Sequence, residues 1–197
     1  MRKFDQIFQF KIALKGIRPP IWRRIQVPST YSFWDLHVAI QDAMGWTDCH
    51  LHSFEFGLRT KGIRESIGIP DPDFPDEDDM LPGWKIPIAK LFSMSNPSAD
   101  YIYDFGDDWE HKVVLESILP RDGSVQYPRC IAGKRACPPE DCGGVWGYEE
   151  LLEIQADPSH ERHEEIMEWL GDPIDPESFN HAEVDFDDPA ERRRMSM

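Results

Sequence analysis

Apolar and polar residues alternate along "IFQFKIALKG" (7–16), setting Phe8, Phe10, Ile12 and Leu14 on one side, the two-residue period of a half-buried strand. "IRPP" turns the chain, and "IWRRIQVP" alternates again, with Ile21, Ile25 and Val27 on the face of Arg23 and Trp22 opposite. Residues 7–28 are therefore expected to form a β-hairpin. The period then becomes helical: Phe33, Leu36, Ile40 and Ala43 recur at helical spacing, Ser32 stands as N-cap, and Gly45 is placed to stop the helix. "HLHSFEFG" (50–57) returns to strand period, with His50, His52, Phe54 and Phe56 on one face. The opening order is β-β-α-β.

Beyond it, "DPDFPDEDDMLPGW" (71–84) holds six acids and three prolines with no core-forming pattern, which predicts an exposed, mobile loop. "IPIAKLF" is expected as one short helix. "YIYDF" leads through Gly106-Asp107 into "WEHKVVLESI", a second hairpin that turns Trp109, His111, Val113 and Leu115 one way and Glu110, Lys112 and Glu116 the other. "GYEELLEIQAD" and "SHERHEEIMEWLG" have helical periods separated by Asp157-Pro158. The pattern predicts an α+β protein: two β-hairpin-rich sheet units, a β-grasp-like start, and C-terminal helices packed on the sheet. Residues 1–184 form a single domain in this reading, and 185–197 a polar tail expected to fray.

Composition narrows the picture without changing it. At 197 residues the chain can bury a substantial core, and 40% hydrophobic content with seven Trp and eleven Phe is that of a globular protein. Asp5, Gln9 and Lys11 interrupt the apolar stretch that an export signal at the start would need, and no run is long and apolar enough to cross a membrane. A cytoplasmic location is expected, with the four Cys as reduced thiols or metal ligands. The formal charge of −16 is unevenly spread: residues 1–24 carry seven bases and one acid. So acidic a remainder disfavours a nucleic-acid binder, since phosphate neutralisation requires a continuous basic footprint. Nucleic-acid contact by the basic hairpin stays a secondary possibility, and the simpler reading is that its charges guard strand edges.

Candidate chemistry gathers in three places. Cys130, Cys137 and Cys142 lie in a Gly/Pro-rich loop that can wrap an ion, with His111, His52, His50 or Cys49 as a fourth donor to a structural zinc. The plainer alternative is that the thiols pack the loop. His50 and His52 form an H-x-H on a strand, able to converge on a metal or to sit in the core-facing layer. Around the second turn, Asp104, Asp107, Asp108, Glu110 and His111, with Glu140 and Asp141, could bind a divalent ion or act as bases, although Asp residues also serve ordinary turns. His160 and His163 do not make a metalloprotease motif, and no phosphate-binding loop, dinucleotide fingerprint or Ser-His-Asp order is present.

On "HLHSFEF", "YDFGDDWEHKVVLE" (103–116) and "PRCIAGKRACPPEDCGGVWGYEELL" (128–152), the chain resembles the plasmid pRiA4b ORF-3-like family over nearly its whole length. The resemblance implies a shared fold and an association with plasmids and insertion elements, with no mechanism attached. The expected function is a non-enzymatic binding or accessory module, engaging a protein or extended polymer through aromatic anchors such as Trp22 or Trp84. The rival is a metal-dependent hydrolase built from the Asp104–His111 turn, the H-x-H strand and the cysteine loop.

Overall fold

The computed structural model describes residues 4–57, 64–70 and 80–196. The first hairpin forms as the alternation requires, β1 (Gln6–Leu14) pairing antiparallel with β2 (Trp22–Pro28) from Ile7↔Pro28 to Ala13↔Trp22. Helix α1 (Phe33–Met44) begins with a capping box: the Asp35 amide donates to Ser32 Oγ at 3.2 Å and the Ser32 amide donates to Asp35 Oδ2 at 2.8 Å. It ends where Gly45 takes a left-handed backbone and donates to the Gln41 carbonyl. There follow β3 (His52–Gly57), β4 (Arg64–Gly68), the two-residue β5 (Leu81–Pro82), β6 (Ser98–Tyr103), β7 (Trp109–Pro120) and β8 (Arg129–Lys134). Helices α2 (Gly144–Ala156), α3 (His163–Leu170) and α4 (Pro189–Ser196) close the chain. "IPIAKLF" supplies only a 3₁₀ turn, Ile88–Lys90.

The hairpins are not separate sheet units. β1 pairs with β7 as well as β2, which joins all strands into one eight-stranded mixed sheet of order β5-β4-β3-β6-β7-β1-β2-β8. β3 lies beside β6 and β4, with β6 and β7 between it and β1. β1 and β2 are interior, and their bases therefore guard no edge. Arg24 of β2, Lys15 just past β1 and Lys112 of β7 enter a charge ladder instead: Lys15 meets Glu110 at 2.8 Å and Asp100 at 3.0 Å, Lys112 meets Asp100 at 3.1 Å, and Arg24 meets Glu116 at 2.6 Å. Arg23 is buried, its guanidinium donating to the carbonyls of Ala43, Trp22 and Lys134 and lying 3.6 Å over the Phe179 ring.

The inner face packs its aromatics against α1. Phe33 meets Phe54 at 5.1 Å and Phe56 at 5.6 Å, and Phe10 meets Phe92 at 4.8 Å, each fully buried Phe contributing about 1.5–3 kcal/mol. α1 is buried almost all round, because the expected frayed tail is instead helix α4, docked against it. Trp34 Nε1 donates to the Pro189 carbonyl at 2.8 Å, and Arg192 reaches Asp42 at 2.6 Å. α2 buries Tyr148, Leu151 and Ile154, whereas α3 buries nothing and rests on α2 rather than on the sheet. Of the acidic loop expected at 71–84, residues 71–79 lie outside the described residues, and Leu81 and Pro82 pair in parallel with β4. Among the described residues, no helix is long and apolar enough to cross a membrane.

Candidate metal centre

One end of the sheet gathers three segments that are far apart in sequence. His52↔Tyr103 and Tyr103↔Trp109 are cross-strand pairs, so the start of β3 and the β6–β7 turn are neighbours. The loop between β8 and α2 is drawn in by Trp46, whose Nε1 donates to the Pro138 carbonyl at 2.9 Å, and by Asp107 Oδ2, which accepts from the Gly143 amide at 3.1 Å. Gly144 has no room for a side chain: a Cβ there would sit 2.4 Å from the Asp107 carbonyl oxygen. Turn and loop are thus locked together.

The ligand-type atoms meet at His50. Its Nε2 lies 3.1 Å from Asp141 Oδ1 and 3.6 Å from Asp104 Oδ2, yet it is shielded from solvent and makes no hydrogen bond. Those separations bracket the edge of a tetrahedron with metal–ligand bonds near 2.0 Å, about 3.3 Å. Asp104 uses Oδ1 for its own turn, accepting from the Gly106 amide at 2.9 Å, which leaves Oδ2 facing the histidine. Cys49, His50 and Glu140 form a second group whose ligand atoms lie within 4.8 Å of one another. Glu140 is saturated by donors: Oε2 accepts from the Thr47 amide and hydroxyl, and Oε1 from the Tyr103 hydroxyl and the Cys49 thiol. Burial pushes its carboxyl up, but the hydrogen bonds from Thr47 and Tyr103 outweigh this and hold it below the ordinary glutamate value. Glu140 therefore acts as a fixed anion that positions Cys49 and Tyr103. Asp48, Asp104, Asp108 and Asp141 all take left-handed backbones, a concentration of local strain that Asp tolerates better than most residues and that marks functional sites.

Beneath this cluster lies a buried polar layer. The rings of His37 and His52 stack at 3.5 Å, His37 Nε2 meets Asp48 Oδ1 at 2.7 Å, and His37 Nδ1 meets the Tyr101 hydroxyl at 2.8 Å. Burial drives both imidazoles well below their usual range, reinforced by Arg192 near His37 and by His37 beside His52. Burial raises Asp48 to about 6, against the pull of His52 and Arg192. This layer, with both imidazoles held neutral, forms a buried floor under the Thr47–Leu51 segment.

A family model described as "Plasmid pRiA4b ORF-3-like protein" matches residues 6–183. The chain belongs to that family. It is 39% identical over 166 residues to "Uncharacterized protein y4hQ" of Sinorhizobium fredii (strain NBRC 101917 / NGR234), covering 84% of this chain and 81% of that relative. It also matches the crystal structure of "Protein of Unknown Function MM3350" from Methanosarcina mazei Go1, with a TM-score of 0.85 and 48% identity over 93% of this chain and 100% of that one. The two chains thus share one fold.

Within it, the residues expected to hold metal do not meet in one three-ligand group among the described residues. Cys130 lies in β8 with its thiol toward the Ala132 carbonyl, and Cys142 turns toward the Gly144 carbonyl. Burial pushes the thiols of Cys130, Cys137 and Cys142 up, that of Cys142 to about 12 with Asp107 adding to the effect. His111 is buried against Trp46, and His52 lies in the core layer. None of Cys130, Cys137, Cys142, His111 and His52 belongs to a three-ligand group among the described residues, and the H-x-H pair splits because the strand begins only at His52. His50, Cys49, Asp104, Glu140 and Asp141, each named on sequence as a secondary candidate, come together. His37 has no signature in the sequence, since a single histidine on a helix carries no pattern.

Proposed function

We propose that the protein is a binding module whose recognition point is a divalent transition-metal ion held by His50, Asp104 and Asp141. The solvent-shielded Nε2 of His50, which makes no hydrogen bond and faces two carboxylates at 3.1 Å and 3.6 Å, is the observation that carries this reading. An imidazole with two carboxylates suits zinc and its neighbours, and three protein ligands leave a fourth position for a donor atom of a partner. Exposed apolar side chains follow the ligands directly in sequence: Leu51 after His50, and Phe105 after Asp104. They supply the anchors in place of Trp22 and Trp84, which lie under Lys11 and Arg24, and under Arg193. The basic hairpin is a poorer recognition surface, since Arg23 is buried and Lys15 and Arg24 are paired. The same open position could hold the water of a hydrolase, so zinc-dependent cleavage of simple esters or phosphoesters would move the reading to catalysis. Calorimetric titration of chelator-treated protein with zinc is expected to give one site per chain, lost in His50→Ala and kept in Cys130→Ser. Retention of that site in His50→Ala overturns the proposal.

A further inference from the structure

Helices α2 and α3 enclose a second feature, a cavity of about 300 Å³ that reaches Asp141 on one side. Its floor is apolar, made by Leu151 and Ile154 of α2 with Ile166 and Trp169 of α3. Its rim is acidic: Glu150 and Glu165 flank Arg162, which lies 3.2 Å from the first and 3.6 Å from the second. The single cation is thereby already neutralised, and with Asp141 the lining has excess negative charge. Two further observations show a surface without cover. α3 buries none of its residues although Ile166, Met167, Trp169 and Leu170 give it an apolar side, and Trp169 is 49% exposed. Residues 144–172 carry nine acids against one arginine.

We propose that this cavity is a docking site for a lysine- or arginine-bearing segment of a partner protein. The apolar stem of such a side chain lies against Ile166 above the buried Leu151 and Ile154, its charged end reaches Glu150 and Glu165, and the exposed Trp169 ring offers a face to the cation. The volume suits one long side chain, while the surrounding acids attract the rest of a basic segment. The site shares Asp141 with the proposed metal centre and is otherwise separate from it.

The test is fluorescence anisotropy with a labelled twelve-residue peptide alternating lysine and serine, with the glutamate–serine counterpart as control. The lysine peptide is expected to bind and the glutamate peptide not to. Glu150→Gln combined with Glu165→Gln, and separately Trp169→Ala, should each weaken binding about tenfold. Asp122→Asn combined with Glu183→Gln removes two exposed acids outside the cavity and should leave affinity unchanged. Equal weakening by that control pair, or absence of binding up to millimolar protein, overturns the proposal. So does displacement of the peptide by an equal concentration of spermine, which would make a free polyamine the ligand. Zinc titration of Trp169→Ala should match the parent protein, separating failure of this site from failure of the metal centre.

Discussion

Replacing His111 with Leu tests whether the sheet buries a histidine that must stay neutral. The ring is fully buried, its Nε2 makes no hydrogen bond, and its Nδ1 lies 3.4 Å from the Tyr101 carbonyl. Burial lowers its pKa from 6.5 to about 4, against the raising effect of the Tyr101 and Trp109 backbone. In the unfolded chain the same ring takes up a proton near 6.5, so between pH 6.5 and about 4 the unfolded state binds more protons than the native one. Stability is therefore lost as pH falls through 6.5, and the loss levels off below about 4. Each pH unit inside that window costs about 1.4 kcal/mol, which makes the His111 contribution about 2.7 kcal/mol between pH 7.5 and pH 4.5. His37 and His52, lowered mainly by burial, impose penalties of the same sign, and Asp42 and Asp48, both raised to about 6 mainly by burial, oppose them. All four are common to parent and variant and cancel in the comparison. Urea unfolding followed by tryptophan fluorescence should show His111→Leu within about 1 kcal/mol of the parent at pH 7.5, because the substitution removes an unpaired buried polar atom along with some packing. At pH 4.5 the variant should be the more stable by about 2–3 kcal/mol relative to its position at pH 7.5. An identical pH dependence in the two proteins refutes the reasoning.

Three more substitutions probe how the end of the sheet is held. Gly144→Ala adds a Cβ that collides with the Asp107 carbonyl at a left-handed backbone position, so it should cost at least about 1–2 kcal/mol in urea unfolding and weaken zinc binding without altering any ligand. Arg192→Ala leaves the nearly buried Asp42 and Asp48 carboxylates without that cation; it should destabilise the protein by about 3 kcal/mol and speed hydrogen exchange throughout α4. Glu140→Ala strands the donors of Thr47, Tyr103 and Cys49, and should cost about 1–3 kcal/mol at pH 7. Because Glu140 titrates below the ordinary value, its stabilisation is present above that value and fades as pH falls through the folded one, so parent and variant should converge in acid.

Local pattern was enough to read the two hairpins and α1, because strand period, helix period, the Ser32 cap and the Gly45 stop are properties of neighbouring residues. What joins the hairpins is the pairing of Phe10 with Leu115 and of Ile12 with Val113, a choice of partner a hundred residues away that alternation leaves open. The polar tail looked unattached since its contact with α1 depends on Arg192 finding Asp42, which no periodicity announces. Strand period placed His50 beside His52, but the chain is bent at Asp48 and joins the sheet only at His52, sending one ring to the surface cluster and the other into the core. The cysteine spacing suggested a wrapped ion, whereas β8 claims Cys130 and the acids Glu140 and Asp141 of the same loop face the histidine.

The metal centre is tested most directly by anomalous diffraction from a zinc-soaked crystal. The account predicts one peak about 2.0–2.2 Å from His50 Nε2 and from carboxylate oxygens of Asp104 and Asp141. A peak among Cys130, Cys137 and Cys142, or no peak beside His50, contradicts it.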